Sequence, residues 1–456
     1  MKQTTTLKEK YSLILKIILP ILVTQVAIYF ISFFDILMSS RYGTTDLAGV
    51  SIGSSIWMPI YTGLSGILLA ITPIVSQLVG AKKELQAKKA VQQGIYVAII
   101  LVVLIFIALF VGIDWILGNM NLEASVHTIA KSYIYTMCAG LLPLFLFFVM
   151  RCFIDALGQT RVTMIITLLT TPINIVLNYI FIFGKFGAPE LGGVGAGVAT
   201  AITYWLIFFI TVWIIAKRVP FERFRIFHDW PKLEWLRWKE ILIIGVPIGI
   251  SIFAETSIFS AVTMMMSSFS TEIIAAHQIA LNFTSLLYMV PLSISMGVTI
   301  LVGFEIGAGR MHDAKIYSYL CVGTTIIFSF ISACILFLLR EPVANMYTTD
   351  NKVIEYAVQF LVFAAIFQLS DAIQAPVQGA LRGYKDVMIT FIMAIISYWI
   401  IGLPVGYTLA THTDFGPFGY WIGLVAGLTT GAITLLIRLL LVQKRITSKS
   451  KVELAN

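Results

Sequence analysis

Twenty consecutive residues, Leu320 to Leu339, contain no Asp, Glu, Lys or Arg. Val97 to Val111 is equally free of charge, and Leu13 to Phe34 holds only Lys16 before Asp35. A helix needs about 20 predominantly apolar residues to cross the hydrocarbon core of a bilayer. Such runs recur along the whole chain, which is far more than one buried soluble core requires. Hydrophobic residues fill 59% of the 456 positions and charged residues 12%, about half the charge of an average soluble domain. The chain therefore reads as an all-α integral membrane protein. Met1 to Lys10 is polar, and the apolar segment after it is longer than a signal-peptide core, so no cleavable signal is expected.

Apolar runs set against polar breaks predict twelve spans, near 11–38, 47–78, 90–113, 126–155, 161–184, 193–217, 239–268, 272–306, 314–340, 353–381, 386–411 and 417–443. The basic residues test that count. With a cytoplasmic N-terminus, one side holds Lys2, Lys8, Lys10, Lys16, Lys82, Lys83, Lys88, Lys89, Arg151 and Arg161. It also holds the seven Lys and Arg of a central connector, then Arg310, Lys315, Arg382, Lys385, Arg438, Lys444, Arg445, Lys449 and Lys451. Only Arg41, Lys131, Lys185, Arg340 and Lys352 of the 31 Lys and Arg fall on the other side. This asymmetry places both termini in the cytoplasm of a plasma-membrane protein, since cytoplasmic loops carry the basic excess. The net charge of +8 then belongs to those loops, and no nucleic-acid partner is expected. Cys138, Cys152, Cys321 and Cys334 all fall in predicted spans with no CxxC pair, which supports neither a disulfide framework nor a zinc site. A monomer is expected.

Residues 218–238 form the most polar stretch, with Trp230, Trp235 and Trp238 among its charges. Its composition suits an amphipathic surface helix or a plain linker. It separates an N-terminal six-helix bundle (1–217) from a C-terminal one (239–456). The halves echo each other. Leu19-Pro20 matches Val246-Pro247, Ala48 and Ile52 match Ala275 and Ile279, and Gly80-Ala81 matches Gly307-Ala308, all at an offset of 227. Ala156-Leu157 before Gly158 resembles Ala380-Leu381 before Gly383. Two pseudo-symmetric six-helix bundles are the expected architecture, with a substrate cavity near the midplane.

Three carboxylates lie deep within spans: Asp35 in the first, Glu255 in the seventh and Asp371 in the tenth. A charge at the bilayer centre costs at least about 2.5–3.5 kcal/mol, so each must face protein or water. Polar residues recur around them at helical spacing: Gln25, Tyr29, Ser32 and Ser39 with Asp35, and Gln368, Gln374 and Gln378 with Asp371. Ser251 precedes Glu255 by one turn. The fifth span offers Thr167, Thr171, Asn174 and Asn178, and the eighth Gln278, Asn282 and Ser285. Such polar stripes can simply join helices, but joining does not require a charge. His277 reads as a packed polar residue rather than a ligand. Asp155, near Arg151, reads as half of an interfacial ion pair, and Glu305 sits beside Arg310.

Over nearly its whole length the chain resembles the multidrug and toxic compound extrusion (MATE) family, in its NorM-like branch. The resemblance rests on the six-plus-six layout, on Pro20 followed by Asp35, and on Gly80-Ala81 and Gly307-Ala308. Ala276 to Ile279 and Ala380 to Gly383 add to it. It implies antiport: export of bulky, mostly cationic amphiphiles driven by Na⁺ or H⁺, with two bundles rocking in alternating access. It further implies cation coupling on Glu255, Asp371 and Asp35, with Na⁺ on Glu255 and Asp371 if sodium is the ion. Asn174 and Asn178 would complete a polar site in the N-terminal half. Gln278 and Asn282 would line the substrate cavity, to which the stripes add Gln25, Tyr29 and Gln368. No cofactor beyond the coupling ion is implied. Some sodium-coupled relatives carry a tyrosine one turn before the tenth-span aspartate, where this chain has Phe367.

An alternative is a lipid-linked oligosaccharide flippase of the same superfamily, which would be expected to line its cavity with Arg and Lys to hold pyrophosphate. A major-facilitator transporter would carry Gly-x-x-x-Asp-Arg after the second span, where this chain reads Gly80-Ala81-Lys82-Lys83. An enzyme is not expected, as no HExxH, GxSxG or P-loop occurs.

Overall fold

The computed structural model describes residues 3–120 and 122–455. Lys2 lies outside them, and the side chains of Lys449 and Lys451 are likewise not described. Helix α1 (Leu7–Tyr42) opens with a reciprocal cap: Glu9 Oε2 accepts from the Thr5 and Thr6 N–H groups, while Thr6 Oγ1 accepts from the Glu9 N–H. This Thr-x-x-Glu box satisfies donors that a helix start otherwise leaves open. The second span is α2 (Thr44–Leu68) and α3 (Ile71–Gly80), broken at Leu69 and Ala70. Next come α4 (Glu84–Gly118), α5 (Ala124–Ala139), α6 (Leu141–Ala156), α7 (Thr160–Phe183) and α8 (Gly193–Lys217). Helices α5 and α6 meet at a 48° bend, where Gly140 is followed closely by Pro143, whose ring obstructs the i→i−4 ladder.

After a 3₁₀ turn at Glu222–Phe224 come α9 (Trp235–Met266), α10 (Thr271–Gly307), α11 (Met311–Tyr347) and α12 (Asn351–Gly383). The eleventh span is compound: α13 (Met388–Ile395), a π-helical segment (Ile396–Gly402) and α14 (Leu403–His412). Helix α15 (Phe418–Ala455) closes the chain. Among the described residues, eleven helices are long and apolar enough to cross a membrane, and the bent α5–α6 pair supplies a twelfth.

The fold divides into two compact units, one of Leu19–Gly249 and one of Ile250 onward together with the residues up to Ile18. The divisions fall inside α1 and α9. In the second unit, the start of α1 is tied to α11: Lys10 Nζ lies 2.5 Å from Asp313 Oδ1, and the Thr4 and Tyr317 hydroxyls are 2.7 Å apart. Close packing there uses glycine. Gly402 and Gly406 face Gly423 and Gly427, and a Cβ added at Gly423 would sit 2.4 Å from Gly406 Cα. Small residues four apart let two membrane helices approach backbone to backbone.

In the first unit, the central connector is neither an amphipathic helix nor a free linker. It docks on α4. Gln92 Nε2 donates to the Ile226 and His228 carbonyls and Gln93 Nε2 to that of Lys232, while Lys88 and Lys89 pair with Asp229 and Glu234.

Candidate functional site

In the first unit, α1, α7 and α8 converge on Asp35, which is 7% exposed. Asn178 Nδ2 donates to Asp35 Oδ1 at 2.6 Å, and the Thr200 hydroxyl donates to Oδ2 at 3.1 Å. One turn earlier on α7, Asn174 Oδ1 accepts from Asn178 at 3.2 Å, and its Nδ2 donates to Thr200 and Thr203 at 3.2 Å each. The Thr203 hydroxyl gives its proton to the Ala199 carbonyl. Asn174 and Asn178, four apart, share one face of α7 as their spacing predicts, and that face meets Asp35, the pairing that the family resemblance implies. The two donors to Asp35 are neutral, so its carboxylate has hydrogen bonds but no positive partner among them. Thr200 and Thr203 are not evident from sequence, although their i, i+3 spacing on α8 is the available signal.

Gln25 and Tyr29 are half-buried on α1. Gln25 Oε1 accepts from Arg151 Nη2 at 2.9 Å. Arg151 and Asp155, expected at the interface, are instead both buried in α6, with Nε 3.5 Å from Oδ2. Asp155 also takes the Thr163 hydroxyl proton at 2.8 Å. Removing two charges from water is tolerable only when each meets the other and further hydrogen bonds, and this cluster provides both.

In the second unit, Glu255 on α9 accepts from Gln378 Nε2 at 2.7 Å. Gln378 Oε1 in turn accepts from Arg382 Nη2 at 3.0 Å, one turn further along α12. Arg382, assigned to a loop by its position near a span end, is 8% exposed inside the last turn of α12. Asp371 is buried on the same helix and shares an electrostatic field with Glu255. Tyr288 of α10 and Tyr398 of the π-helical segment face the same charges. Gln374 donates to the Tyr398 hydroxyl, so the π segment aims a side chain into this cluster, a common use of such local distortions. Beside Glu255, the Trp399 indole donates to the Ala254 carbonyl at 3.2 Å.

Among the described residues no third His, Cys, Asp or Glu joins Glu255 and Asp371 in a metal-like group. Amide, hydroxyl and backbone oxygens would have to complete the shell of a hard cation such as Na⁺, which favours oxygen ligands. Gln374 and Tyr398 are close at hand, whereas the Gln378 carbonyl is already taken by Arg382.

Gln278 and Asn282 are exposed on one face of α10, with Ser285 continuing the stripe. A polar stripe left open on a membrane helix belongs against water or a polar ligand rather than lipid. Gln368 is buried against α11 and accepts from Ser332 at 2.8 Å. His277 is fully buried: Trp421 Nε1 donates to its Nδ1 at 3.0 Å, and Nε2 lies 3.0 Å from Thr263 Oγ1. An indole N–H only donates, so Nδ1 is bare and the ring proton sits on Nε2. This is a packed polar residue, as expected. Glu305 pairs with Arg310 at 2.5 Å.

One family model, MatE, matches the chain twice, over residues 20–180 and 247–408. The second match starts 227 residues after the first (247 against 20), the same offset as the internal repeat. The probable multidrug resistance protein NorM of Oceanobacillus iheyensis is 53% identical over 447 residues, covering 98% of this chain and 100% of that protein. Its namesake in Bacillus subtilis is 52% identical over 452 residues, covering 99% and 100%. Among solved structures, a eukaryotic MATE transporter superposes with a TM-score of 0.86 at 21% identity, covering 96% of this chain and 98% of that one. A Vibrio cholerae MATE transporter in its bent form does so at 0.86 and 19%, covering 96% and 98%.

Proposed function

The chain belongs to the MatE family of multidrug and toxic compound extrusion proteins, in its NorM-like branch, and from that premise we propose that it expels drugs in exchange for Na⁺ or H⁺. The observation that carries the coupling is the set of carboxylates held inside the two units. Asp35 holds the Asn178 amide and the Thr200 hydroxyl, and Glu255 holds the Gln378 amide. A proton or Na⁺ arriving at either carboxylate competes with those donors. It must therefore rearrange the α1–α7–α8 or α9–α12 contacts they make, which converts ion occupancy into helix movement.

The cycle follows from that competition. From the outer face, cations load the carboxylates and the drug departs; at the inner face the cation leaves and another drug is taken up. Gln278 and Asn282, open on α10, offer polar contacts to the drug, and the acidic sites favour cationic amphiphiles. One charge crossing about 150 mV supplies roughly 3.5 kcal/mol to the export of a neutral drug, whereas one-for-one exchange against a monovalent cationic drug moves no net charge and is driven by the ion's concentration gradient. Both termini are cytoplasmic in this reading, and the protein acts as a monomer. A flippase for pyrophosphate-linked sugars would need free basic groups, whereas Arg151 and Arg382 are each held by an acceptor within their own unit.

The test is ethidium efflux from proteoliposomes under separately imposed Na⁺ and pH gradients. Efflux that follows one of the gradients supports the proposal. Efflux indifferent to both contradicts it.

A further inference from the structure

Arg382 has no role in the exchange described above, yet it is the cation built into the second unit's site. It is buried and donates to Gln378 Oε1 at 3.0 Å, while the other end of that amide donates to Glu255 Oε1 at 2.7 Å. The amide is oriented so that its carbonyl faces the cation and its N–H the anion, and the i, i+4 spacing of Gln378 and Arg382 keeps it so. The titratable and charged groups facing Glu255 are Asp371 and Arg382 from α12, Tyr288 from α10 and Tyr398 from the π segment. Arg382 is the positive one among them.

We propose that Arg382 is a positioning residue, a tethered internal cation that competes through Gln378 with the coupling ion for Glu255 and so sets the ion's affinity. This rests on the exchange reading above. A buried arginine left without a counter-charge is costly. An ion that neutralises Glu255 imposes that cost on Arg382, which weakens ion binding and favours its release. Among the described residues of the first unit, Arg151 is instead neutralised by Asp155 on its own helix. The affected quantity is the half-saturating ion concentration, whereas a purely structural role would lower only the maximal rate.

The experiment is ethidium efflux from proteoliposomes, titrated with Na⁺ at fixed pH and with protons at fixed Na⁺, for wild type, R382Q, R382K and Q378M. Removing the charge (R382Q) or the relay (Q378M) is expected to lower the half-saturating concentration of the coupling ion about tenfold, with slower turnover as release becomes limiting. R382K keeps the charge and should stay within about threefold of wild type. Half-saturation unchanged in both R382Q and Q378M, with ion-driven efflux intact in wild type, overturns the inference alone. If R382Q does not fold, Q378M decides by the same criterion. Wild-type efflux independent of both ions overturns the exchange reading and this inference together.

Discussion

The two units solve the same problem, a buried arginine near the end of a helix, in opposite ways. In the first, Arg151 finds Asp155 four residues along its own helix, and Thr163 and Gln25 complete the cluster. Asp35 is left to a separate set of neutral donors on α7 and α8. In the second, Arg382 works through Gln378 on Glu255, a carboxylate from another helix that also shares its field with Asp371. One unit keeps its buried charge pair apart from its candidate coupling carboxylate. The other joins them. Duplicated scaffolds can thus diverge in which charges are coupled while the repeat itself, offset by 227 residues, is kept.

The largest expected effect tests the closed pair. Asp155→Ala leaves Arg151 buried without its counter-charge and should cost about 3–5 kcal/mol, read as a fall in unfolding midpoint in detergent. The double change with Arg151→Met should recover most of it. No recovery would mean that Asp155 is not there for Arg151.

Neutralising the three candidate coupling carboxylates comes next. Asp35→Asn, Glu255→Gln and Asp371→Asn should each reduce gradient-driven ethidium efflux about 100-fold, or about 2.7 kcal/mol, with folding intact by gel filtration. Normal coupled efflux in all three would return them to a structural role. Thr200→Val removes the hydroxyl's bond to Asp35, a change of about 1.5 kcal/mol, together with the bond it accepts from Asn174. It should shift ion dependence about tenfold in the first unit while leaving Arg382 variants to shift it independently in the second. Smallest of all, Gln278→Ala and Asn282→Ala should alter drug preference by a few-fold, less than about 1 kcal/mol, without moving the half-saturating ion concentration. A change in ion dependence instead would place that face of α10 in the ion site.

Much of this was legible in the sequence for physical reasons. Spans declare themselves because lipid tolerates no long polar stretch, and Asp35, Glu255 and Asp371 stand out because a charge inside a span is costly. Helical spacing puts the asparagines of α7 on one face, while their pairing with Asp35 comes from the family resemblance. Arg151 and Arg382 were hidden because hydropathy reads an arginine near a span end as a loop residue, and only tertiary packing tells a buried guanidinium from a solvated one. Thr200 and Thr203 were hidden because membrane threonines mostly bond their own helix, as Thr203 also does. The docking of the connector by Gln92 and Gln93 follows no periodicity, since those side chains bond backbone carbonyls. The partners of Gln378 depend on how α9 meets α12, which neither helix encodes alone.

Exchange of this kind requires that ion and drug exclude one another. Linkage requires any such coupling to be reciprocal at equilibrium. Ethidium binding to the purified protein in detergent, measured by fluorescence polarisation across Na⁺ concentration and pH, tests this directly. One of the two ions should weaken ethidium binding by a saturable factor, reduced in Asp35→Asn, and ethidium should weaken binding of that ion by the same factor. Ethidium affinity unchanged across both titrations would contradict it.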